Sequence, residues 1–338
     1  MLKQLALPLE YFRKRHSSLP WLWAFVFMLP LPWLAFNTYQ VYMLNFICVM
    51  IILSVGLNIV KGFAGQVTVG HIGLYAVGAY TSAVLSVNFG FPFWLALPVA
   101  VIAAAAAGII VAIPSFRLEG AYLALATLGM GESIRIYISM TDYLGASLGF
   151  GGVPAPVIVG ITLDTYLKYY YLLLPITLLA IYCSFAILRS GTGRAFKAIR
   201  EDTISAAAAG INVRRYKLLA FVLSAVYAGA AGSLFAHMTP GYLHPNNFTV
   251  IEVVTLLLMV VFGGIGHIWG GVIGAVLISI IFDLTRDYYH YQMLIFGGVI
   301  VLTVLYMPKG IGGIIDKYIV TKRFIKKQQP KDRDAAKG

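Results

Sequence analysis

Charge is what this sequence has least of. Of its 338 residues, 11% are Asp, Glu, Lys or Arg and 60% are hydrophobic, with a mean hydropathy of +0.84. A soluble domain carries roughly 25% charged residues, so this chain lacks the polar surface that water requires, and lipid must be its solvent. Between Lys61 and Arg117 there is no Asp, Glu, Lys or Arg at all. That gap is long enough for two bilayer crossings at about 20 residues each. Cysteine is also scarce. Cys48 and Cys183 both sit inside apolar runs, which rules out a disulfide framework or a metal site by spacing. No Gly-Lys dipeptide occurs, so a nucleotide-binding phosphate loop is excluded. No convergent acid/base or metal set marks an enzyme.

The charge that is present is mostly basic, with a formal net charge of +12. Its distribution argues against nucleic acid. It gathers in an N-terminal arm, a central segment and a C-terminal tail, each flanking apolar spans, as cytoplasmic loops of membrane proteins do. Apolar runs fall at 20–37, 41–60, 71–88, 93–113, 119–138, 169–188, 217–237, 249–264, 268–283 and 290–307. They lack the alternation of a barrel, so helices are the open solution in lipid. The fold class expected is therefore an all-α polytopic membrane protein of about ten transmembrane helices (eight to ten). The run from Leu19 follows Arg13, Lys14 and Arg15 but contains Pro30 and Pro32 and no small-residue cleavage site. It reads as a retained first span rather than a signal peptide.

Loop charge then sets orientation. Arm 1–19 and tail 309–338 are both basic, which puts both termini in the cytoplasm and makes the number of spans even. The tail reads as disordered. The membrane domain is 20–308, and the segment 189–216 within it falls on the cytoplasmic side. The 139–168 loop falls outside; its "GASLGFGGVPAP" suits either a surface for a binding protein or a passive connector. The runs 249–264 and 268–283 are short for full spans, with Gly263, Gly264 and Gly266 between them, and a re-entrant pair stays open. "VGHIGLYAVGA" (69–79) and "IGHIWGGVIGA" (265–275) echo one another, as duplicated transporter halves do.

The central segment is more than a basic loop. Gly191 and Gly193 are expected to break the preceding helix. Arg194–Arg200 can form a short helix with Phe196 and Ile199 on one side. Asp202 suits the N-cap of a second helix, 203–209, with Gly210 as its stop. Two short helices with a small apolar face and a charged rim make a docking element. Polar candidates in or near the spans are Asn58, Gln66, Thr68, His71, Tyr75, Thr127, Glu132, Arg135, Glu252 and His267; intramembrane ionisable groups are functional hypotheses by default. Quieter readings stand beside these. Glu132 and Arg135 can pair at i, i+3, Glu252 can face the outer interface, and His71 and His267, placed at the cytoplasmic rim, can satisfy broken backbone. The small residues Gly70, Gly73, Gly78, Gly270 and Gly274 permit close packing, within the chain or against a second membrane subunit.

The stretches "SGTGRAFKAIREDTISAAAAGINVRRYKLLAF" (190–221), "GLNIVKGFAGQVTVGHIGLYAVGAYTSAVL" (56–85), "RLEGAYLALATLGMGESIRI" (117–136) and "MVVFGGIGHIWGGVIGAVL" (259–277) resemble the M-type permease subunit of branched-chain amino acid ABC transporters. The resemblance implies an importer permease in a bacterial inner membrane. It implies two ATPase subunits that bind ATP and Mg on their own chains, a second permease of the H type, and a periplasmic or extracellular substrate-binding protein. This chain itself would hold no cofactor. The coupling residues implied are Gly193, Arg194, Ala198, Arg200, Glu201, Asp202 and Gly210. The cargo expected is a branched-chain amino acid, although related permeases serve urea, amides and other amino acids. The competing class is an ion-coupled secondary transporter, which usually places a carboxylate near mid-membrane. The topology is testable. An impermeant amine reagent applied to intact cells should leave Lys197 unmodified and should reach it in inverted vesicles; modification from outside would put the segment on the wrong face.

Overall fold

A computed structural model describes residues 28–33, 37–158, 160–238, 241–285, 289–307 and 310–312. Arm 1–19, most of the first apolar run, Arg286 and Asp287, and nearly all of the tail lie outside the described residues. The rest is helical. The helices are α1 (Thr38–Asn58, continued by a π-helical turn Ile59–Phe63), α2 (His71–Asn88), α3 (Phe93–Ala112), α4 (Gly120–Met140) and α5 (Tyr166–Arg189). They are followed by α6 (Gly191–Glu201), α7 (Thr203–Ala208), α8 (Val213–Ala236), α9 (Val250–Gly263), α10 (Ile268–Leu284) and α11 (Tyr289–Tyr306). A two-stranded antiparallel hairpin, β1 (Val157–Ile158) and β2 (Ile161–Thr162), decorates one end. The expected apolar runs from 41–60 onward each correspond to one of the long helices.

Small side chains decide which helices sit inside. In lipid there is no hydrophobic drive to bring helices together, so association rests on close van der Waals packing. α8 is the axial helix, packed along both α2 and α3 and also against α1. Its buried face is Ala220, Ala225, Ala228, Gly229, Ala231 and Gly232. On α3, Ala96, Ala100, Ala104 and Gly108 are buried at four-residue steps, while Ile102, Ile109 and Ile110 are exposed. A Cβ at Gly78 would run into the backbone of Gly229, and one at Gly229 into Ala104. Gly73 and Gly274 likewise face backbone of Gly131 and Met259 in this chain. The small-residue contacts read from the sequence are therefore spent within the chain rather than held for a second permease.

α9 and α10, the weak spans of the sequence, form a closed hairpin whose helices pack on one another and both pack on α1. α9 has 14 residues, about 21 Å at 1.5 Å per residue, which is shorter than a hydrocarbon core of about 30 Å. α6 and α7 lie at the end of the bundle that also carries the start of the 64–70 segment and the turns 113–119 and 264–267. The opposite end carries the 141–165 and 237–249 loops. These two are stitched together: Phe150 and Leu243 exchange backbone hydrogen bonds of 2.7 and 2.8 Å, and the Nδ1 of His237 lies 2.8 Å from the Pro154 carbonyl.

The packing has a direct test. Gly78→Leu should destabilise the detergent-solubilised protein by about 1–3 kcal/mol, the usual range for an overpacked core. Gly129→Leu should not, since its Cβ meets open space. Thermal unfolding read for both variants checks the difference.

Candidate functional site

The segment 190–211 folds as two helices, with a boundary different from the one read in the sequence. Gly191 and Gly193 do not break the chain; they open α6. The break is Ser190, whose extended backbone N-caps α6 while its N–H bonds to Ile187. Gly193 is buried because it rests on the Leu188 backbone at the end of α5, where a Cβ would not fit. Phe196 and Ile199 are buried together as expected, and the Phe196 ring meets Tyr216 edge-on at 6.3 Å. Asp202 caps α7, its carboxylate accepting from the Ser205 N–H at 2.6 Å. That bond holds the Asp202 carboxyl below its ordinary range. The cap is therefore present at neutral pH and is lost only as pH falls through this lowered value. Gly210 stops the helix at φ 84°. Arg194, Lys197, Glu201 and Asp202 face outward. So does Ile204, 80% exposed, an apolar tip that the charge pattern of the sequence had hidden.

Arg200 does something else. It is exposed too, but its guanidinium reaches across and donates to the carbonyl of Gly62. Gly62 lies in the π-helical turn that ends α1, where a wider backbone repeat leaves carbonyls without their α-helical partners. One turn earlier, the Asn58 carboxamide is buried and makes two bonds across to the α9–α10 turn. Its Nδ2 donates to the His267 carbonyl at 2.7 Å, and its Oδ1 accepts from the Gly266 N–H at 2.9 Å. Gly266 sits at φ 84° against Arg200 and the Gly62 carbonyl, and a side chain there would collide with both. One solvent-facing helix, the break after α1 and the turn before α10 thus share a single knot of polar contacts.

A second group forms a seam that runs back into the bundle. After Phe63 the chain is non-helical to Gly70. It carries buried Gln66 and Thr68, and the Gln66 side chain bonds to the Ala64 carbonyl at 3.2 Å. The Val69 N–H donates to Thr127 Oγ1 at 3.1 Å. α2 then starts at His71, whose Nδ1 lies 3.0 Å from Ser224 Oγ. Ser224 stands midway along the 24-residue α8. His71 is therefore level with the middle of the bundle, not at its rim as expected. Irregular backbone is tolerated at that depth because protein encloses it.

Tyr75 and Glu252 come together at the other end. They line a cavity of about 680 Å³ between the N-terminal halves of α1 and α9, the end of α10 and the 245–248 turn, with Tyr39, Met43, Phe46 and Asp283. This is the size of small-molecule sites, roughly 300–1,000 Å³. The Tyr39 hydroxyl donates to Asp283. Asp283 and Tyr39 were not among the candidates, although a carboxylate inside the run 268–283 was the available signal. Glu132 stands apart from all three groups. Arg135 Nε donates to it at 2.8 Å, so the i, i+3 pairing expected is what this helix contains.

Comparison with known proteins gives a consistent picture. The sequence family described as "Branched-chain amino acid transport system / permease component" matches residues 39–304. The high-affinity branched-chain amino acid transport system permease protein LivM of Escherichia coli K12 is 38% identical over 287 residues, covering 78% of this chain and 67% of that protein. The Escherichia coli K12 permease protein LivH is 25% identical over 294 residues, covering 78% of this chain and 90% of its own length. A probable LivM of Methanocaldococcus jannaschii is 24% identical over 326 residues, covering 82% and 93%. No solved structure matches. The knot can be tested without any assay of function. Asn58→Leu should leave the Gly266 N–H and His267 carbonyl unpaired and cost about 1–3 kcal/mol in thermal or denaturant unfolding, the usual penalty for orphaned buried polar groups.

Proposed function

This chain belongs to the family of permease components of branched-chain amino acid transport systems, and we propose that it is the M-type permease of an ATP-driven importer carrying branched-chain amino acids. In this reading the Arg200 end faces the cytoplasm, because the basic residues Arg189, Arg194, Lys197, Arg214, Arg215 and Lys217 gather there. The chain crosses an inner membrane about ten times with both termini inside. Arm 1–19 and tail 309–338 flank a membrane domain, 20–308, that contains the coupling loop 189–216.

The observation that carries the proposal is the contact of Arg200 with Gly62, beside the Asn58 bridge. A docking helix would matter little if it hung freely on the bundle. Here α6 is tied to the two places where the membrane helices are interrupted. α6 and α7 would seat an ATPase subunit through Arg194, Ala198, Glu201, Asp202 and the exposed Ile204, with Gly193 and Gly210 fixing their ends. Arg200 would pass the movement inward. Two ATPase chains would bind ATP and Mg, an H-type permease would complete the membrane unit, and a substrate-binding protein would dock on the far-end loops, where Leu148 and Ile161 are exposed. The far-end cavity and the seam at His71 would belong to the path.

The acidic cavity also suits an ion-coupled carrier, so the energy source must be read directly. Uptake in vesicles should stop on ATP depletion and survive an ionophore; the reverse would favour ion coupling. Glu201→Lys, on the exposed rim, and Gly193→Pro, at the α5–α6 junction, should each abolish uptake while leaving the protein in the membrane. Undiminished uptake by both would defeat the coupling assignment.

A further inference from the structure

The cavity opposite Arg200 has an uneven charge. Two carboxylates, Glu252 and Asp283, line it, and no Lys, Arg or His does among the described residues. Asp283 accepts from the Tyr39 hydroxyl. Glu252 has no ion-pair partner among the described residues. The Tyr75 side chain, 2% exposed, lines the same cavity with its ring held against Phe235 and Phe248 at 5.6 and 5.2 Å. Its hydroxyl has no hydrogen-bond partner among the described residues. A buried hydroxyl without a partner is costly, and a carboxylate within a membrane domain without a counter-charge is costlier still. Both atoms are held there by packed helices rather than by any bond of their own. Beside them the wall is unbranched and aromatic: Met43, Phe46 and Met50. Methionine and phenylalanine offer an apolar surface that adapts to branched aliphatic shapes.

We propose that this cavity is a binding station, contained within the one chain, for a small molecule bearing a primary ammonium and an aliphatic side chain. The ammonium pairs with Glu252, the Tyr75 hydroxyl supplies a second polar contact, and the side chain lies on the methionine–phenylalanine wall. The proposal rests on the transport reading above for the identity of its ligand. It adds that the permease itself checks for the ammonium group, independently of any partner. A carboxylic acid of the same shape has no ammonium to pair with Glu252 and so offset the repulsion of its own carboxylate by Glu252 and Asp283, and is refused.

The test uses the complete reconstituted transporter carrying Cys48→Ala, Cys183→Ser and Met43→Cys, labelled with a neutral maleimide. Leucine and isoamylamine should each slow labelling of the introduced thiol at least fivefold, and 4-methylvalerate should not. Glu252→Gln should remove the protection and raise the KM for leucine uptake about tenfold; Glu252→Asp should restore part of both. Equal protection by the amine and the acid overturns the proposal. So does protection, or an unchanged KM, that survives Glu252→Gln, which would leave Glu252 as a structural group only. If the unsubstituted transporter takes up no leucine while isoamylamine still protects the thiol, the station stands and the cargo reading falls.

Discussion

The carboxamide of Asn58 holds together the two places where this chain leaves the helix inside its own bundle. A bilayer offers no water to spare an interrupted backbone, so every freed N–H and carbonyl needs a partner from the protein. Asn58 supplies one acceptor and one donor to the α9–α10 turn, and Arg200 supplies a donor to the π-helical turn after α1. Gly62 and Gly266 are glycines because each lies where a Cβ would strike one of these groups. Remove the polar knot and neither break is tolerable; remove the breaks and the bundle becomes a set of continuous rods with no place to hinge. The polar residues of this apolar chain are concentrated at the points where the helix is not its own solution.

The sequence made the helices legible because bilayer thickness demands long apolar runs, whatever their packing. The segment 190–211 was legible for the opposite reason: Asp202, Gly210 and the pair Phe196 and Ile199 carry capping and face signals that survive in water. What could not be read was which face of each span looks inward. In a soluble helix polarity marks the outside. Here α3 exposes Ile102 and Ile109 and buries Ala100 and Ala104, so size replaces polarity as the inward signal. The same blindness affected the glycines, which looked available for a partner chain and are consumed by α2, α3, α8 and the α9–α10 hairpin.

Other misreadings have local causes. Gly191 and Gly193 looked like breakers, since glycine weakens a helix interior by about 1 kcal/mol. At the start of α6 that weakness matters less than the close approach to Leu188 that only glycine allows. His71 looked like a rim residue because the run 71–88 begins there. The residues before it are non-helical, with Gln66 and Thr68 buried, and they lead the chain inward to the level of Ser224. Irregular backbone inside a membrane bundle has no periodicity to betray it.

These features together bear on how a push at α6 could reach a molecule in the cavity. α1, α9 and α10 each have one end at the Asn58 knot and the other at the cavity. The first brings Tyr39 and Met43, the second Glu252, the third Asp283. Tyr75 arrives on α2, whose start is fastened through Gly70 and Val69 to Thr127. No relay of side chains is needed between the two ends, because a helix moves as a rigid element and carries both with it. A shift of α9 and α10 against α1 would change the spacing of Glu252 and Asp283 from Tyr39 and Tyr75, and so the cavity's affinity for a cation. A bound ligand can bias a conformational equilibrium only through such a difference in affinity between its states. By reciprocity, occupancy of the cavity must act back on the position of Arg200 and on whatever sits against α6. Loading and engine would then be coupled in both directions by three rods and one amide.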